Sequence, residues 1–146
     1  MGMTIHSLRF MYNMERFATQ IYRTQRSAFK EKEIADKLSA AADNEQQHVD
    51  YLKARIAELN GAPSRLGFLF QMAGRILGFV ARIFGKLFIL KTDIWVEKRA
   101  IKDYGSFLRK VDFDEKSVLL IEKIIADEKI HVSTWQHSIE ILESQT

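Results

Sequence analysis

Two copies of Glu-x-x-His stand in this 146-residue chain, at Glu45–His48 and Glu128–His131. Each follows a lone glutamate, Glu15 or Glu97, by 30 and 31 residues respectively. Residues three apart on a helix project from one face, so each Glu/His pair can serve one metal ion or two adjacent ones. Four carboxylates and two imidazoles in two matched halves form the ligand inventory of a carboxylate-bridged di-metal site in a four-helix bundle. Two of the four carboxylates are expected to bridge. Four carboxylates balance two divalent ions, and oxygen and imidazole donors suit iron or manganese.

The elements that must position these groups follow from periodicity. Four stretches repeat apolar residues at helical spacing. The first runs from about Thr4 to Arg26, with Leu8, Met11, Tyr12, Ala18, Thr19 and Tyr22 on the face of Glu15. The second runs from about Lys32 to Asn60 and aligns Ile34, Leu38, Ala41, Ala42, Val49, Leu52 and Ile56 with Glu45 and His48. Asn60-Gly61-Ala62-Pro63 ends it. The third runs from about Lys86 to Lys110, with Leu90, Ile94, Ala100, Ile101, Tyr104 and Leu108 beside Glu97. The fourth begins after Asp112-Phe113-Asp114-Glu115, whose acids suit a positive helix end, and lines up Ile121, Ile124, Val132, Trp135 and Ile139 with Glu128 and His131.

Every candidate ligand therefore lies within an apolar stripe. An isolated buried carboxylate costs several kcal/mol, on the order given for buried ions, so these charges require partners or metal. Four neighbours of the candidate ligands attract attention. Asp127, just before Glu128, is a candidate acceptor for an imidazole N–H, most naturally that of His48 in the other half. Tyr22 and Tyr104 follow their glutamates by two turns and are expected to pack beside the site. Asp93 precedes Glu97 by one turn and is a further candidate neighbour. His6 and His137 fall off the ligand faces and read as surface histidines.

The composition agrees with an all-α domain spanning 1–146. Hydrophobic residues make up 47%, enough for a core, and one proline with seven glycines favours long helices. The absence of cysteine excludes disulfides, thiolate zinc and iron–sulfur clusters. The N-terminal Met-Gly-Met-Thr-Ile-His-Ser has neither signal-peptide features nor the Ser or Thr of a myristoylation signal, so a cytoplasmic location is expected.

The connection from 61 to about 85 has its own pattern. Gln71, Arg75, Arg82 and Lys86 share roughly 60° of helical arc, at about 100° per residue. Gly67, Gly74, Gly78 and Gly85 form an adjacent stripe, and the rest is apolar, including Phe68, Leu69, Met72, Ile76, Phe79 and Ile83. Cations within the run argue against a membrane span, whereas a basic stripe beside an apolar face suits a helix lying on a membrane. Between Ser64 and Lys91 there are five basic residues and no acid, leaving 17 basic and 19 acidic residues elsewhere. Such local charge points to a local anionic partner rather than to nucleic acid.

The flanking residues narrow the reading. Glu15-Arg-Phe-Ala18-Thr-Gln-Ile21-Tyr22-Arg-Thr-Gln25, Val96-Glu97 with Tyr104, and Asp127-Glu128-x-x-His131 resemble the demethoxyubiquinone hydroxylase family, within the ferritin-like di-iron superfamily. The resemblance covers about residues 8 to 142. It implies a ferritin-like four-helix bundle of two antiparallel hairpins joined by an amphipathic crossover helix that associates with a membrane at about 64–85. It also implies two irons held by Glu15, Glu45, His48, Glu97, Glu128 and His131. Those residues would be the catalytic centre of a monooxygenase that uses O2 and an external electron donor to hydroxylate a lipid-soluble quinone. The enzyme would sit peripherally on the inner face of a membrane. Phe17 and Thr24 stand where the family usually has small residues, and Asp103 where it usually has His, so a quinone pocket is expected to be narrower at Phe17. Two other readings use the same ligands: a ferritin- or rubrerythrin-like protein that oxidises iron or removes peroxide, and a protein-docking crossover with a structural metal. A homo-oligomer is compatible with all three.

Overall fold

A computed structural model describes residues 2–144. Met1, the first residue of the N-terminal stretch read above, lies outside the described residues, as do Gln145 and Thr146. Five α-helices follow in order: α1 (Gly2–Gln25), α2 (Lys32–Glu58), α3 (Gly67–Ile83), α4 (Lys86–Lys110) and α5 (Glu115–Glu143). No strand occurs among the described residues. A short 3-10 turn, Arg26–Ala28, helps link α1 to α2. The hairpins α1–α2 and α4–α5 build a four-helix bundle, and α3 is the long connection between them. Helix α4 runs antiparallel to α1, because Thr4 meets Asp112 near one end and Gln25 meets Asp93 near the other.

The helix ends obey local chemistry. Helix α2 stops in a Schellman motif: Asn60 N–H bonds to Ala57 O at 2.9 Å and Gly61 N–H to Ile56 O at 2.9 Å. Asn60, rather than the following glycine, takes the left-handed conformation, with φ 58°. Asp114 caps α5 by accepting the Ser117 N–H at 3.0 Å. Arg55, nearly buried on α2, donates to both Asp114 carboxylate oxygens at 2.5–2.6 Å and to Ser117 Oγ at 2.9 Å, tying the start of α5 to α2.

The apolar stripes make two clusters. One gathers Ala18, Ile21, Tyr22, Ile34, Leu38, Leu90, Val96 and Trp135. The other gathers Leu8, Met11, Tyr12, Val49, Leu52, Ala100, Tyr104, Ile121 and Ile124. The six candidate ligands lie along the same four helical faces and are likewise buried.

Helix α3 packs outside this bundle, parallel to α1 and against its back. Only Gly67, Gly74, Gly78 and Ala81 of α3 are buried. A Cβ at Gly74 would stand 2.3 Å from Phe17 O, and one at Gly78 2.9 Å from Thr24 Cβ and 3.0 Å from Ile21 O. Glycine therefore lets the two backbones touch. Gly85 departs from the stripe read in the sequence: at φ 95° it makes the reversal between α3 and α4, in open space. The polar stripe is also partly occupied. Gln71 accepts from Arg16 at 2.5 Å, Arg75 donates to Gln20 at 3.0 Å, and Lys86 pairs with Glu31 at 2.6 Å. The apolar side stays exposed: Phe68, Met72, Ile76, Phe79 and Ile83 are each more than half accessible. No described helix is long and apolar enough to cross a membrane.

Gly74→Ala tests the close approach. Alanine favours a helix interior by about 1 kcal/mol over glycine, yet the clash with the Phe17 carbonyl should make the variant less stable by about 1–3 kcal/mol, the usual cost of overpacking. Chemical denaturation midpoints measure the difference, and a gain in stability would contradict the packing.

Candidate metal centre

The buried ligand faces of α1, α2, α4 and α5 converge on six side chains. Glu15, Glu45, His48, Glu97 and Glu128 are 0–1% exposed and His131 7%. Their donor atoms fall into two groups, each within 4.8 Å: Glu15, Glu45, His48 and Glu128 in one, Glu45, Glu97, Glu128 and His131 in the other. Glu45 and Glu128 belong to both, so they are the carboxylates that can bridge two ions. Each histidine turns Nδ1 inward. His48 Nδ1 lies 3.1 Å from Glu15 and 3.3 Å from Glu45 and Glu128. His131 Nδ1 lies 3.1 Å from each of Glu45, Glu97 and Glu128.

Two oxygens identify what the cage lacks among its own atoms. Glu45 Oε1 and Glu128 Oε1 are buried without a hydrogen-bond partner, although an imidazole nitrogen stands 3.1 and 3.3 Å away. Lone pairs that converge without an aligned proton fit a cation between them. With four carboxylates and two imidazoles, the cage has the charge and donor set for two divalent ions.

The electrostatics agree. Burial raises Glu45 above the ordinary carboxylate range, and Glu15 beside it adds to the shift. Glu97 is raised strongly, first by burial and then by Glu128 and Glu45. Burial alone would push the His48 imidazole down, but hydrogen bonds to Glu128, Glu15 and Glu45 outweigh it and raise it far above its usual value. The same opposition raises His131, through Glu128, Glu45 and Glu97. The cage stabilises positive charge in whatever form occupies it.

The surrounding shell crosses between the halves. Tyr22 O–H donates to Glu97 Oε1, and Tyr104 O–H donates to Glu15 Oε1. Each tyrosine thus serves the glutamate of the other hairpin, not the one two turns before it. Burial, followed by the adjacent glutamate, raises both phenols well above their usual range, so they remain donors. Trp135 Nε1 donates to Tyr22 Oη at 3.3 Å. Asp127 Oδ2 accepts from His48 Nε2 at 2.9 Å, the partner expected for it. Burial disfavours the charged form of Asp127, but hydrogen bonds from His48, Lys123 and Asn44 prevail and lower it to about 2. Of the positions that differ from the expected pattern, Asp103 accepts from Arg99 at 2.8 Å, while Phe17 and Thr24 lie beneath the glycines of α3.

Among the described residues, Asp93 makes no hydrogen bond to any of the six candidate ligands. It is fully buried and accepts from Gln25 Nε2 at 2.8 Å. Gln25, unmarked in the periodicity, is brought there by the antiparallel register that matches Glu15 with Tyr104 and Tyr22 with Glu97. That register is set between helices far apart in sequence, so no local pattern marks the pair. Asp93 Oδ2 and Gln25 Oε1 are both buried and unpartnered, a defect that one proton on Asp93 would relieve for both. Burial raises the Asp93 carboxyl well above its ordinary 3.8, despite the opposing hydrogen bond from Gln25.

A carboxyl raised in the folded state stabilises fully below its unfolded pKa and progressively less as pH rises through its folded value. The stability of the wild type relative to Asp93→Asn should therefore fall as pH rises from about 4. Denaturant unfolding of both proteins across that range measures it. A difference independent of pH would show Asp93 to be ionised throughout.

Known proteins bear on this geometry. The sequence model of the family described as "Ubiquinone biosynthesis protein COQ7" matches residues 6–142. A protein of Dechloromonas aromatica named 3-demethoxyubiquinol 3-hydroxylase is 29% identical over 118 residues, which are 80% of this chain and 57% of that protein. A protein of the same name from Alcanivorax borkumensis is 27% identical over 128 residues, 87% of this chain and 58% of that one. The chain thus spans a little over half the length of these relatives. Among solved structures, the bacterioferritin-related protein of Bacteroides fragilis, described as a dodecameric thioferritin, superposes with a TM-score of 0.77. It is 16% identical, and the match covers 97% of this chain and 87% of that one, a likeness of fold. A ferritin-like bundle with two buried Glu/His groups, matched over 6–142, makes this chain a member of the ubiquinone biosynthesis protein COQ7 family.

Proposed function

We propose that this chain is a di-iron monooxygenase that uses O2 to hydroxylate a quinone-type, lipid-soluble substrate at a membrane surface. The single observation that carries the reading is the buried cage of two groups sharing Glu45 and Glu128 in a chain of this family. Glu15 and His48 would hold one iron, Glu97 and His131 the other, with Glu45 and Glu128 common to both. Iron held there would supply the O2 chemistry, with electrons from an external donor. The protein's own contribution is geometric and electrostatic. Tyr104 and Tyr22 fix the outer carboxylates Glu15 and Glu97 by donating to them. Asp127 fixes the ring of His48. The near-complete burial of the six ligands keeps bulk water from the reacting centre.

The exposed side of α3 supports the membrane part of the proposal. Leu66, Phe68, Leu69, Met72, Ile76, Phe79, Ile83 and Phe84 form an uncovered apolar face, which Leu87 and Phe88 of α4 continue. Arg65, Arg75, Arg82 and Lys91 are exposed on the same segment, and no acid stands between Ser64 and Lys91. Iron oxidation or peroxide removal would use the same cage but would give no role to this face.

Iron-loaded protein supplied with a demethoxyquinol, a reductant and O2 should form the ring-hydroxylated product, and Glu128→Ala should lose both the metal and the product. An intact two-iron centre without product would overturn the assignment. Flotation with anionic liposomes tests the surface. The wild type should float, and Ile76→Asp/Phe79→Asp should partition at least about tenfold less, since burying each large apolar side chain is worth about 1.5–3 kcal/mol. Equal flotation of the two proteins would remove α3 from the membrane contact.

A further inference from the structure

We infer that the two metal positions are unequal, and that Asp127 makes the Glu15/His48 position bind its ion first and more tightly. The inference rests on the reading of the cage as a two-metal site. In their direct donors the two positions match. Each has one outer glutamate, one His Nδ1, the shared Glu45 and Glu128, and a tyrosine donating to its outer glutamate. The difference lies behind the imidazoles.

His48 is fully buried, and its Nε2 meets Asp127 Oδ2 at 2.9 Å. Asp127 is itself held by Lys123 Nζ at 2.7 Å and more loosely by Asn44 Nδ2 at 3.4 Å. The outer nitrogen of His131 has no hydrogen bond among the described residues. Near that ring stand Tyr22 and Trp135, with centroids 6.2 and 6.5 Å away. The internal repeat shows how the asymmetry arises. The residue before Glu128 is Asp127, whereas the residue before Glu45 is Asn44. Asn44 turns its amide toward Asp127 and offers His131 no carboxylate.

A carboxylate that accepts the outer N–H of an imidazole places the proton on that nitrogen and leaves the inner lone pair free for metal. It also fixes the ring and strengthens its donation, and loss of such a partner typically costs 10–100-fold in metal affinity. One position has this support and the other does not. A form carrying one ion in the Glu15/His48 position should therefore accumulate during loading. The more exchangeable ion belongs to the side where Tyr22 and Trp135 gather.

Anaerobic titration of the metal-free full chain with Co(II), against a chromophoric chelator, should resolve two steps separated by about 10–100-fold. Asp127→Asn should weaken the tight step by a similar factor and the weak step less. His48→Ala should abolish the tight step, and His131→Ala only the weak one. Two ions bound with one common affinity, equal weakening of both steps by Asp127→Asn, or a tight step that survives His48→Ala would overturn the proposal. A readout on the wild type covers variants that do not fold. At one equivalent of Co(II), the paramagnetically shifted proton spectrum should contain one imidazole N–H signal that exchanges slowly with water, from His48 buried against Asp127. A rapidly exchanging signal in its place would assign the first ion to His131. Failure to bind any Co(II) would instead overturn the two-metal reading itself.

Discussion

Four carboxylates at the centre of an apolar bundle set the terms for the rest of the structure. Like charges in low dielectric repel strongly, and burial disfavours each ion separately. The chain meets this by facing every carboxylate with a donor or a cation-seeking geometry. The two imidazoles turn Nδ1 inward, and the two phenols stay protonated and donate. The oxygens left over, on Glu45 and Glu128, are those shared by the two donor groups. Stability and site formation are thus one problem here, because the arrangement that relieves repulsion is also the one that prefers positive charge.

This constraint explains why the hairpins interlock across the bundle. A tyrosine two turns along the same helix cannot reach back to its own glutamate, but in an antiparallel neighbour it falls level with the other one. Tyr22 with Glu97 and Tyr104 with Glu15 therefore fix the register of α1 against α4. That register carries Gln25 to Asp93 and Thr4 to Asp112. A slip by one turn would strand three buried polar pairs, Tyr22–Glu97, Tyr104–Glu15 and Gln25–Asp93, at about 1–3 kcal/mol per unsatisfied group.

The six residues that the structure gathers into the cage were legible in the sequence because a charge within an apolar stripe is locally visible, and its repetition at matched spacing is visible too. Helix ends were equally readable, since Asp114 and the Asn60-Gly61 pair act over one turn; only the choice of Asn60 for the left-handed position needed the structure. The tyrosine exchange and the Gln25–Asp93 pair were hidden because they depend on register between helices far apart in sequence. Gly85 was misread as a stripe residue because spacing alone cannot distinguish a packing glycine from a turning one. Arg75 and Lys86 were read with the basic residues that point to an anionic partner, and Gln20 of α1 and Glu31 could not be foreseen as theirs.

The same helix carries consequences in both directions. Inward, α1 presents Glu15, Ala18, Thr19 and Tyr22 to the bundle; outward, Phe17, Gln20, Ile21 and Thr24 meet the glycines of α3. Backbone contact at Gly74 and Gly78 leaves no soft layer of long side chains between them. Interiors packed this closely transmit displacement rather than absorb it. A force on the exposed apolar side of α3 therefore bears on α1 directly, one helix thickness from Glu15 and from the tyrosine that holds Glu97. The glycines that let α3 lie flat thus bring the apolar surface and the buried cage within reach of one rigid element.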